Sequence, residues 1–299
     1  SAWLIGLIRR VPFVYGVHDL WPEAVVATGM LKSPRLVRWM SKVESFVYRR
    51  ASAIGVISPG FKHNLVGKGV PEDKVHVFTD WANEDVFRPV PVDHELAKST
   101  GMAGSFNVLF GGNMGLAQAL DTVVEAAALL KQVPSIQFVF AGDGLDRARL
   151  EAMVHEKGLT NVRFLGRQSP ERMAYLYALA DVLLAHFKKE PIFEISIPGK
   201  LFNYMACQRP VLMATEGDAA DLVRFSGAGL TCPSQDPDAL AKAVMDLYAR
   251  SPEERAEMGL SGRRTQIKEY SRDVLVRKHE ELLVGVAKGT SRAKSMEEI

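Results

Sequence analysis

Short apolar runs alternate with amphipathic segments along almost the whole chain. The apolar runs are four to six residues long and end at glycine, proline or polar residues, which is typical of buried strands. They lie at 12–17, 52–57, 74–78, 107–110, 136–141, 162–165, 181–185, 211–214 and 229–232. Apolar residues between these runs recur with the helical period, as at Leu36, Val37, Met40 and Val43. The pattern predicts an α/β protein whose parallel sheets are covered by helices.

The repeat is interrupted by one stretch, 89–105, which has two prolines and no clear period. We interpret this stretch as an interdomain linker. It separates two predicted lobes. Residues 1–88 are predicted to form a partial Rossmann-like lobe, and residues 106–268 a second Rossmann-like lobe. Residues 269–299 predict a C-terminal helix followed by a polar tail. A length of 299 residues agrees with two domains, at ~100–200 residues per domain.

Composition and net charge are those of an ordinary globular protein. Hydrophobic residues make up 47% of the chain and charged residues 24%, and the net charge of +2 indicates no nucleic-acid partner. The first fifty residues, however, contain eight Lys or Arg against three Asp or Glu. Such a basic face could contact anionic lipid or a phosphorylated substrate, and the alternative is a solvated helix face.

Cysteine use and hydropathy predict a cytoplasmic protein. Cys207 and Cys232 have neither metal-ligand spacing nor the number needed for a disulfide framework, so we expect reduced thiols. No apolar run reaches the ~18 residues that a membrane span requires. The segment 1–10 is interpreted as a helix end that leads into a strand, or alternatively as a membrane-surface helix.

The segment 197–211 carries the strongest chemical signal. Pro198 stands at a predicted helix start and Lys200 lies in the first turn. A helix N-terminus offers unpaired N–H groups and the positive end of the helix dipole, so a neighbouring lysine completes a pocket for phosphate or pyrophosphate. The sequence therefore predicts an anion site at this helix.

Two glycine turns follow predicted strands, at 111–115 and 142–144. Glycine allows backbone N–H groups to approach a phosphate closely. Neither turn has the Walker or the dinucleotide spacing, and a tight turn without a ligand is the alternative for each. Because carboxyl ends of parallel strands meet at one sheet edge, we expect both turns to lie near Lys200.

Acidic residues and one histidine also stand at strand ends. His18 and Asp19 follow the first predicted strand and could orient a substrate or move a proton, or could simply be loop residues. Glu194 precedes the Lys200 helix and could bind sugar hydroxyls, or be a solvated loop carboxylate. Asp218 is predicted to cap the next helix, whose start Glu216 and Asp221 flank.

Taken in order, the segments 18–19, 53–58, 111–115, 141–144 and 198–211 resemble the motifs of one enzyme family. The chain resembles the retaining nucleotide-sugar glycosyltransferases of family 4, which have the two-lobed GT-B fold. The likeness is closest to bacterial enzymes that build surface polysaccharide or lipopolysaccharide.

This resemblance implies roles for individual residues. Lys200 and the backbone of Gly112 and Asn113 would lie near the donor phosphates, and His18 would face the transferred sugar across the cleft. The nucleotide would be further contacted by Gly142, Asp143, Gly144, Arg167 and Asn203. The catalytic set would be His18, Asp19, Glu194 and Lys200. The resemblance implies a UDP-sugar donor, a glycan or lipid-linked acceptor, and no bound metal or other cofactor, since basic residues offset the leaving-group charge.

Three departures from the family pattern leave alternatives open. Asn113 and Gln118 stand where the family often has arginine and lysine, and Asn203 stands where it often has a glutamate. Glu194 lies one residue from the expected position of the other glutamate. The first lobe is also shorter than the family's, so we expect it to be truncated and its acceptor site incomplete. An inactive nucleotide-binding or interaction module is therefore the second hypothesis, and a sugar-nucleotide epimerase the third.

Overall fold

The computed structural model describes residues 2–27, 29 and 31–289. The strands within this part of the chain are β1 (Val14–Val17), β2 (Ala53–Val56), β3 (Val75–Val77), β4 (Phe106–Gly111), β5 (Ile136–Ala141), β6 (Val162–Gly166), β7 (Val182–His186), β8 (Val211–Ala214) and β9 (Gly229–Cys232). The α-helices are α1 (Ala2–Arg9), α2 (Glu23–Ala27), α3 (Pro34–Arg50), α4 (Pro59–Gly67), α5 (His94–Thr100), α6 (Asp121–Leu129), α7 (Arg147–Glu156), α8 (Pro170–Leu179), α9 (Pro191–Glu194), α10 (Gly199–Ala206), α11 (Asp218–Phe225), α12 (Pro237–Tyr248), α13 (Pro252–Tyr270) and α14 (Arg272–Ala287). Among these residues, no helix is both long and apolar enough to cross a bilayer.

The strands form two parallel sheets, which confirms the predicted fold class. The first sheet has the order β1-β2-β3 and the second has the order β6-β5-β4-β7-β8-β9. In the second sheet the chain moves outward from β4 to β6, then returns to β7 beside β4. The connections that follow β4 and β7 therefore leave in opposite directions. This creates a topological switch point between these two neighbouring strands.

The second sheet is buried on both faces. Phe106, Val108 and Phe110 belong to a core with residues of α6 and α12, whereas Leu109 belongs to the opposite core with residues of α8 and α10. This division follows from the alternation of side chains along a strand. Every residue of β4 and β7 is buried, so the position of the switch point between them is fixed by packing on both faces.

Segments outside the linker also join the lobes. Ile192 and Phe193, from the connection after β7, pack into the core of the first lobe. Helix α14 returns to that lobe, where the rings of His279 and Phe78 lie 4.1 Å apart between centroids. The first-lobe core thus includes residues that follow β7, and α14 adds a ring contact to the first lobe.

The predicted domain boundaries stay predictions, but their segments have definite structure. The predicted linker 89–105 contains α5, whose N-cap Asp93 accepts a hydrogen bond from the Leu96 N–H. The helix predicted beyond 269 is α14. Residues 290–299 of the predicted tail lie outside the described residues.

Candidate donor site at the switch point

Two of the segments predicted to bind phosphate meet at the switch point of the second sheet. The turn 111–115 follows β4, and α10 is reached through the connection that follows β7. Parallel sheets bind ligands in the crevice outside the carboxyl ends of strands, at such a point. The topology therefore brings Lys200 and the first glycine turn together, as the sequence predicted.

Lys200 lies in the first turn of α10 and reaches toward β4. Its Nζ is 4.0 Å from the centroid of the Phe110 ring, and a Cβ atom added to Gly112 would lie 3.4 Å from Nζ. Within the described residues no acidic group forms an ion pair with Lys200, and burial lowers its pKa to about 7. An ammonium group that is desolvated without a counter-charge is poised to gain an anionic partner.

The glycine turns pack against each other through their backbones. A Cβ on Gly142 would lie 1.8 Å from the Gly112 carbonyl oxygen, and one on Gly144 would lie 2.3 Å from the Met114 carbonyl oxygen. The Met114 N–H also donates to the Asp143 carbonyl oxygen at 2.8 Å. These contacts supply a packing reason for both glycines, and the predicted nucleotide contacts of Gly142, Asp143 and Gly144 stay predictions.

Tyr204 bridges β4 and β7 where their ladder ends. The paired register between these strands stops at Phe110 and Leu184. The buried Tyr204 hydroxyl then accepts from the Gly111 N–H at 3.0 Å and donates toward the Leu184 carbonyl oxygen at 3.2 Å. Helix α10 therefore carries Lys200 and also fixes the strand end beside it. The sequence signal was the spacing of four residues between Lys200 and Tyr204, which places both on one helix face.

His186 ties together the loops behind the site. Its Nε2 accepts from the Gln235 N–H at 3.2 Å, so Nδ1 carries the proton and donates to the Gln118 carbonyl oxygen at 2.7 Å. Burial lowers the pKa of His186 to about 4, which keeps the ring neutral. This histidine was not predicted, because it ends an apolar run and its partners are distant in sequence.

The first lobe places His18 and an unpredicted carboxylate, Asp80, opposite α10. His18 Nδ1 lies 3.4 Å from Asp80 Oδ1, and a Cβ on Gly199 would lie 3.0 Å from Asp80 Oδ2. Asp80 therefore stands between His18 and the first residue of α10. Asp80 follows β3 in the same way that His18 follows β1. This position after a strand is the sequence signal that could have predicted Asp80 as a site residue. Asp19 is exposed beside His18.

The structure corrects the predicted role of Asp218. Gly217 occupies the N-cap of α11 and provides no side-chain cap, because Asp218 is already the first helical residue. The Asp218 carboxylate instead accepts from the Gly60 N–H at 2.6 Å, which joins the lobes. Glu216 accepts from the Ser234 hydroxyl at 2.9 Å, and Asp221 pairs with Arg224.

The remaining predicted residues lie on segments that follow strands of the second sheet. Glu194 ends α9, and its carbonyl oxygen lies 2.0 Å from a Cβ built on Gly217, so the backbone there is tightly packed. Arg167 is exposed directly after β6, and Asn203 is half-buried on α10. In the described part of the chain, no three His, Cys, Asp or Glu residues group as a metal site would require. The ligand roles of these residues stay predictions.

Two lobes with parallel sheets and a candidate site at the switch point of the second sheet are typical of the GT-B class of protein. Family profiles agree: residues 1–81 match "Glycosyl transferase 4-like domain" and residues 105–250 match "Glycosyl transferases group 1". The chain belongs to the group 1 glycosyltransferase family.

Individual proteins support the same assignment. The chain is 29% identical over 238 residues to a probable glycosyltransferase, WbjE, of Pseudomonas aeruginosa, covering 77% of this chain and 58% of that protein. It is 28% identical over 192 residues to an alpha-galactosylglucosyldiacylglycerol synthase of Streptococcus pneumoniae, covering 62% of this chain and 50% of that protein. The chain thus spans about half the length of these relatives. A crystal structure of Anabaena Alr3699/HepE with UDP and glucose aligns with a TM-score of 0.78 and 19% identity over 95% of this chain and 74% of that one, a likeness of fold.

Proposed function

We propose that this chain takes part in transferring a sugar from a nucleotide-sugar donor, preferably a UDP-sugar, to an acceptor with retention of configuration. The observation that carries the proposal is Lys200, which is half-buried, has no acidic ion-pair partner among the described residues, and directs its Nζ toward the exposed Gly112. A leaving nucleoside diphosphate would bring the negative charge that could pair with the Lys200 ammonium group. The UDP complex of the structural neighbour, and the family assignment, support the choice of donor.

In this proposal the second lobe stabilises the leaving group. Lys200, the N-terminus of α10 and the backbone of Gly112 and Asn113 supply positive charge as the bond to the diphosphate breaks. The same groups would make a bound metal unnecessary. The donor's own phosphate takes the acceptor proton on the face of the sugar where the new bond forms, which accounts for retention.

The first lobe would act on the sugar. His18 is held near the N-terminus of α10 by Asp80 and is exposed to the cleft, with Asp19 beside it. Glu194 and Asn203 offer oxygen atoms for hydroxyl groups from the second lobe. Asp143 and Arg167, at the ends of β5 and β6, would contact the nucleotide farther from the reacting bond.

The test is a calorimetric titration with UDP, GDP and ADP. We expect UDP to bind most tightly and Lys200→Ala to weaken that binding by about 100-fold, as expected when a buried charge-assisted contact is lost. Lys242→Ala, on the exposed face of α12, is the matched control. Binding of UDP that is equal in Lys200→Ala and Lys242→Ala would contradict the donor site. Anomeric inversion, seen by NMR of the product, would contradict retention.

We also propose a lipid-linked or glycan acceptor at the cytoplasmic face of the membrane. Helix α3 exposes Leu36, Trp39 and Val43 beside its basic residues, a pattern of interfacial helices. The diacylglycerol product in the name of the Streptococcus pneumoniae relative agrees with a lipid acceptor.

Vesicle flotation tests the membrane contact. We expect binding to phosphatidylglycerol vesicles, but not to phosphatidylcholine vesicles, and loss of binding in a triple Arg35→Glu, Arg38→Glu, Lys42→Glu variant. The control reverses three exposed charges on the second lobe, Lys242, Arg264 and Lys268. Equal flotation of both triple variants would reject the proposed surface.

One observation favours the inactive-module alternative. The Gln118 side chain, at the position where the family often has a lysine, accepts from the Gly115 N–H at 3.0 Å and is therefore used within the turn. Position 203 also carries asparagine, where the family often has a glutamate. Donor hydrolysis or sugar transfer that His18→Ala abolishes would reject this alternative, whereas UDP binding without either reaction would favour it.

A further inference from the structure

A polar cavity lies at the amino ends of β4, β5 and β6, at the edge of the second sheet opposite the Lys200 site. Its volume is about 530 Å³, within the range of small-molecule sites. Most of the residues that line it lie just before one of these strands or at its start. Strands β4 and β5 have six residues each, so at about 3.3 Å per residue the cavity lies roughly 20 Å from the glycine turns. It is therefore distinct from the candidate donor site.

Basic side chains line this cavity from three segments, and none of the described residues that line it is acidic. Lys98 lies on α5, Lys131 follows α6 and Arg163 lies on β6. Lys98 pairs with Glu95 at 2.8 Å. In the described part of the chain, no acidic group forms an ion pair with Lys131 or Arg163. This excess of positive charge favours an anionic ligand.

Arg163 is held in place by a buried hydrogen-bond network. Its Nε donates to Gln137 Oε1 at 2.6 Å, and the Gln137 amide donates to the Gly101 carbonyl oxygen and to Asn107 Oδ1, both at 3.1 Å. The guanidinium lies against the turn after α5, since a Cβ added to Gly101 would lie 2.7 Å from Arg163 Cζ. Its two terminal nitrogens donate no hydrogen bond to any residue that the structure describes. The planar group is thus positioned for a two-point contact with a phosphate.

The two lysines also have a role that needs no ligand. Lys98 lies in the last turn of α5, and Lys131 lies just beyond the C-terminus of α6. A positive charge at either place is favourable because it faces the negative end of a helix dipole. Arg163 has no such role, because it lies on a strand. An anion in this cavity would therefore make its main contact with Arg163.

A buried acceptor lines the same cavity. Asn161 is 7% exposed, and its Nδ2 donates to the Ala127 carbonyl oxygen at 2.9 Å, but its Oδ1 has no partner among the described residues. An unpaired buried acceptor costs free energy, which a ligand hydroxyl group would recover. Ser105 and Thr160 add two hydroxyl groups to the walls. None of the described lining residues is aromatic, so the cavity offers no ring on which a nucleobase could stack.

We propose that this cavity binds a sugar phosphate, with the phosphate on Arg163 and Lys131 and a sugar hydroxyl group donating to Asn161. Part of the wall belongs to the segment 98–105, which leads from the predicted linker into β4. An occupant would thus contact the connection between the lobes. The site does not depend on the proposed function, because it shares no residue with the candidate donor site.

Calorimetry with ribose 5-phosphate and with mannose 6-phosphate, one pentose and one hexose, tests the site. We expect saturable binding of at least one of them at one site per chain, at least tenfold weaker binding of inorganic phosphate, and no binding of mannose. The affinity should be the same in Lys200→Ala, because the donor site is elsewhere. Loss of sugar phosphate binding in Lys200→Ala, or absence of saturable binding of both compounds, would overturn the inference. Equal affinity for inorganic phosphate would contradict the part that the sugar plays.

Arg163→Gln should weaken sugar phosphate binding at least tenfold. Arg172→Gln is the matched control, since Arg172 is exposed on α8 of the same lobe and does not line the cavity. UDP titration and melting temperature, measured for both variants, report on the donor site and on the fold. Equal effects of the two substitutions on sugar phosphate binding would overturn the inference while leaving the proposed function standing. Failure of UDP to bind would reject the donor site without touching this cavity.

A second pair of variants tests the position of Arg163 without removing its charge. Gly101 and Gly104 both have positive φ, at 70° and 77°, so alanine strains the backbone at each. Only at Gly101 does the added methyl group meet the Arg163 guanidinium, whereas nothing lies within 4 Å at Gly104. Gly101→Ala should therefore weaken sugar phosphate binding several-fold and Gly104→Ala should leave it unchanged. Equal affinity in the two variants would contradict the assigned contact with Arg163.

Discussion

The two lobes contribute very different surfaces to one cleft. In the second lobe every residue of β4 and β5 is buried, and the glycine turns beyond them are packed backbone against backbone. In the first lobe β1 is largely exposed, and α1 and α3 present large apolar side chains such as Ile8 and Trp39 to the surface. The described sheets have six and three strands, respectively.

The difference lies in how tightly the residues of the two lobes are packed. At a glycine turn of the second lobe an added atom meets backbone atoms, whereas at the end of α4 in the first lobe it meets nothing. Under the proposed function, the packed turns form the part of the site that faces the nucleoside diphosphate. The comparison can be tested by substitutions that should be costly in one lobe and mild in the other.

The largest effect should come from Gly142→Ala. The new methyl group would lie 1.8 Å from the Gly112 carbonyl oxygen, so the two turns would have to separate. We expect the free energy of unfolding to fall by about 3 kcal/mol or more, as for severe overpacking. Urea unfolding measures this loss, and UDP titration of the remaining folded protein should show weakened binding.

Gly67→Ala is the matched change in the first lobe. Gly67 ends α4, and nothing lies within 4 Å of an added Cβ. The substitution should raise the free energy of unfolding by about 0.5 kcal/mol, since alanine favours the helix. If both substitutions had equal effects, the contrast between a packed turn and an open surface would be wrong.

Tyr204→Phe should have the next largest effect. The ring remains, but the Gly111 N–H loses its partner at a buried position. We expect a loss of about 2 kcal/mol in the free energy of unfolding, and a several-fold weaker affinity for UDP because the turn beside Lys200 loosens. Tyr175→Phe is the control, since Tyr175 is exposed on the neighbouring α8. A stability loss with unchanged UDP affinity would show that Tyr204 supports the fold without positioning the site.

Sequence pattern predicted the repeating framework well for a physical reason. Strand and helix periods are local, and a parallel sheet automatically gathers strand ends at one edge. The meeting of Lys200 with the turn 111–115 followed from that rule alone. Periodicity also gave the order of the strands in the chain.

What the sequence could not provide were the long-range contacts that complete the site. Tyr204 and Gly111 are 93 residues apart, and His18 meets Asp80 only after three strands have paired. The wrong prediction, Asp218 as a cap, came from a local rule. The competing partner was the N–H of Gly60, 158 residues away in the other lobe.

A pH-dependent effect on UDP affinity separates the two basic side chains, Lys200 and His18, that the two lobes contribute. Lys200 has no acidic ion-pair partner among the described residues, whereas His18 is exposed beside Asp80. Because the pKa of Lys200 is about 7, the free protein loses this proton as the pH rises from 7 to 8. A diphosphate favours the charged ammonium and raises the same pKa on binding. Binding must then include proton uptake, and UDP affinity should fall about fivefold between pH 7 and 8, or by about 1 kcal/mol.

Titrations in two buffers with different ionisation enthalpies measure that uptake directly. We expect proton uptake on UDP binding that is larger at pH 8 than at pH 7, since more of the ammonium is deprotonated in the free protein at the higher pH. Lys200→Arg keeps a fixed charge, so its proton uptake should be near zero and its affinity should change little over this range. His18→Gln, in the other lobe, should retain the uptake of the unsubstituted chain. The opposite result, in which His18→Gln removes the proton uptake and Lys200→Arg preserves it, would contradict the assignment. The group that gains the proton on UDP binding would then be His18 of the first lobe.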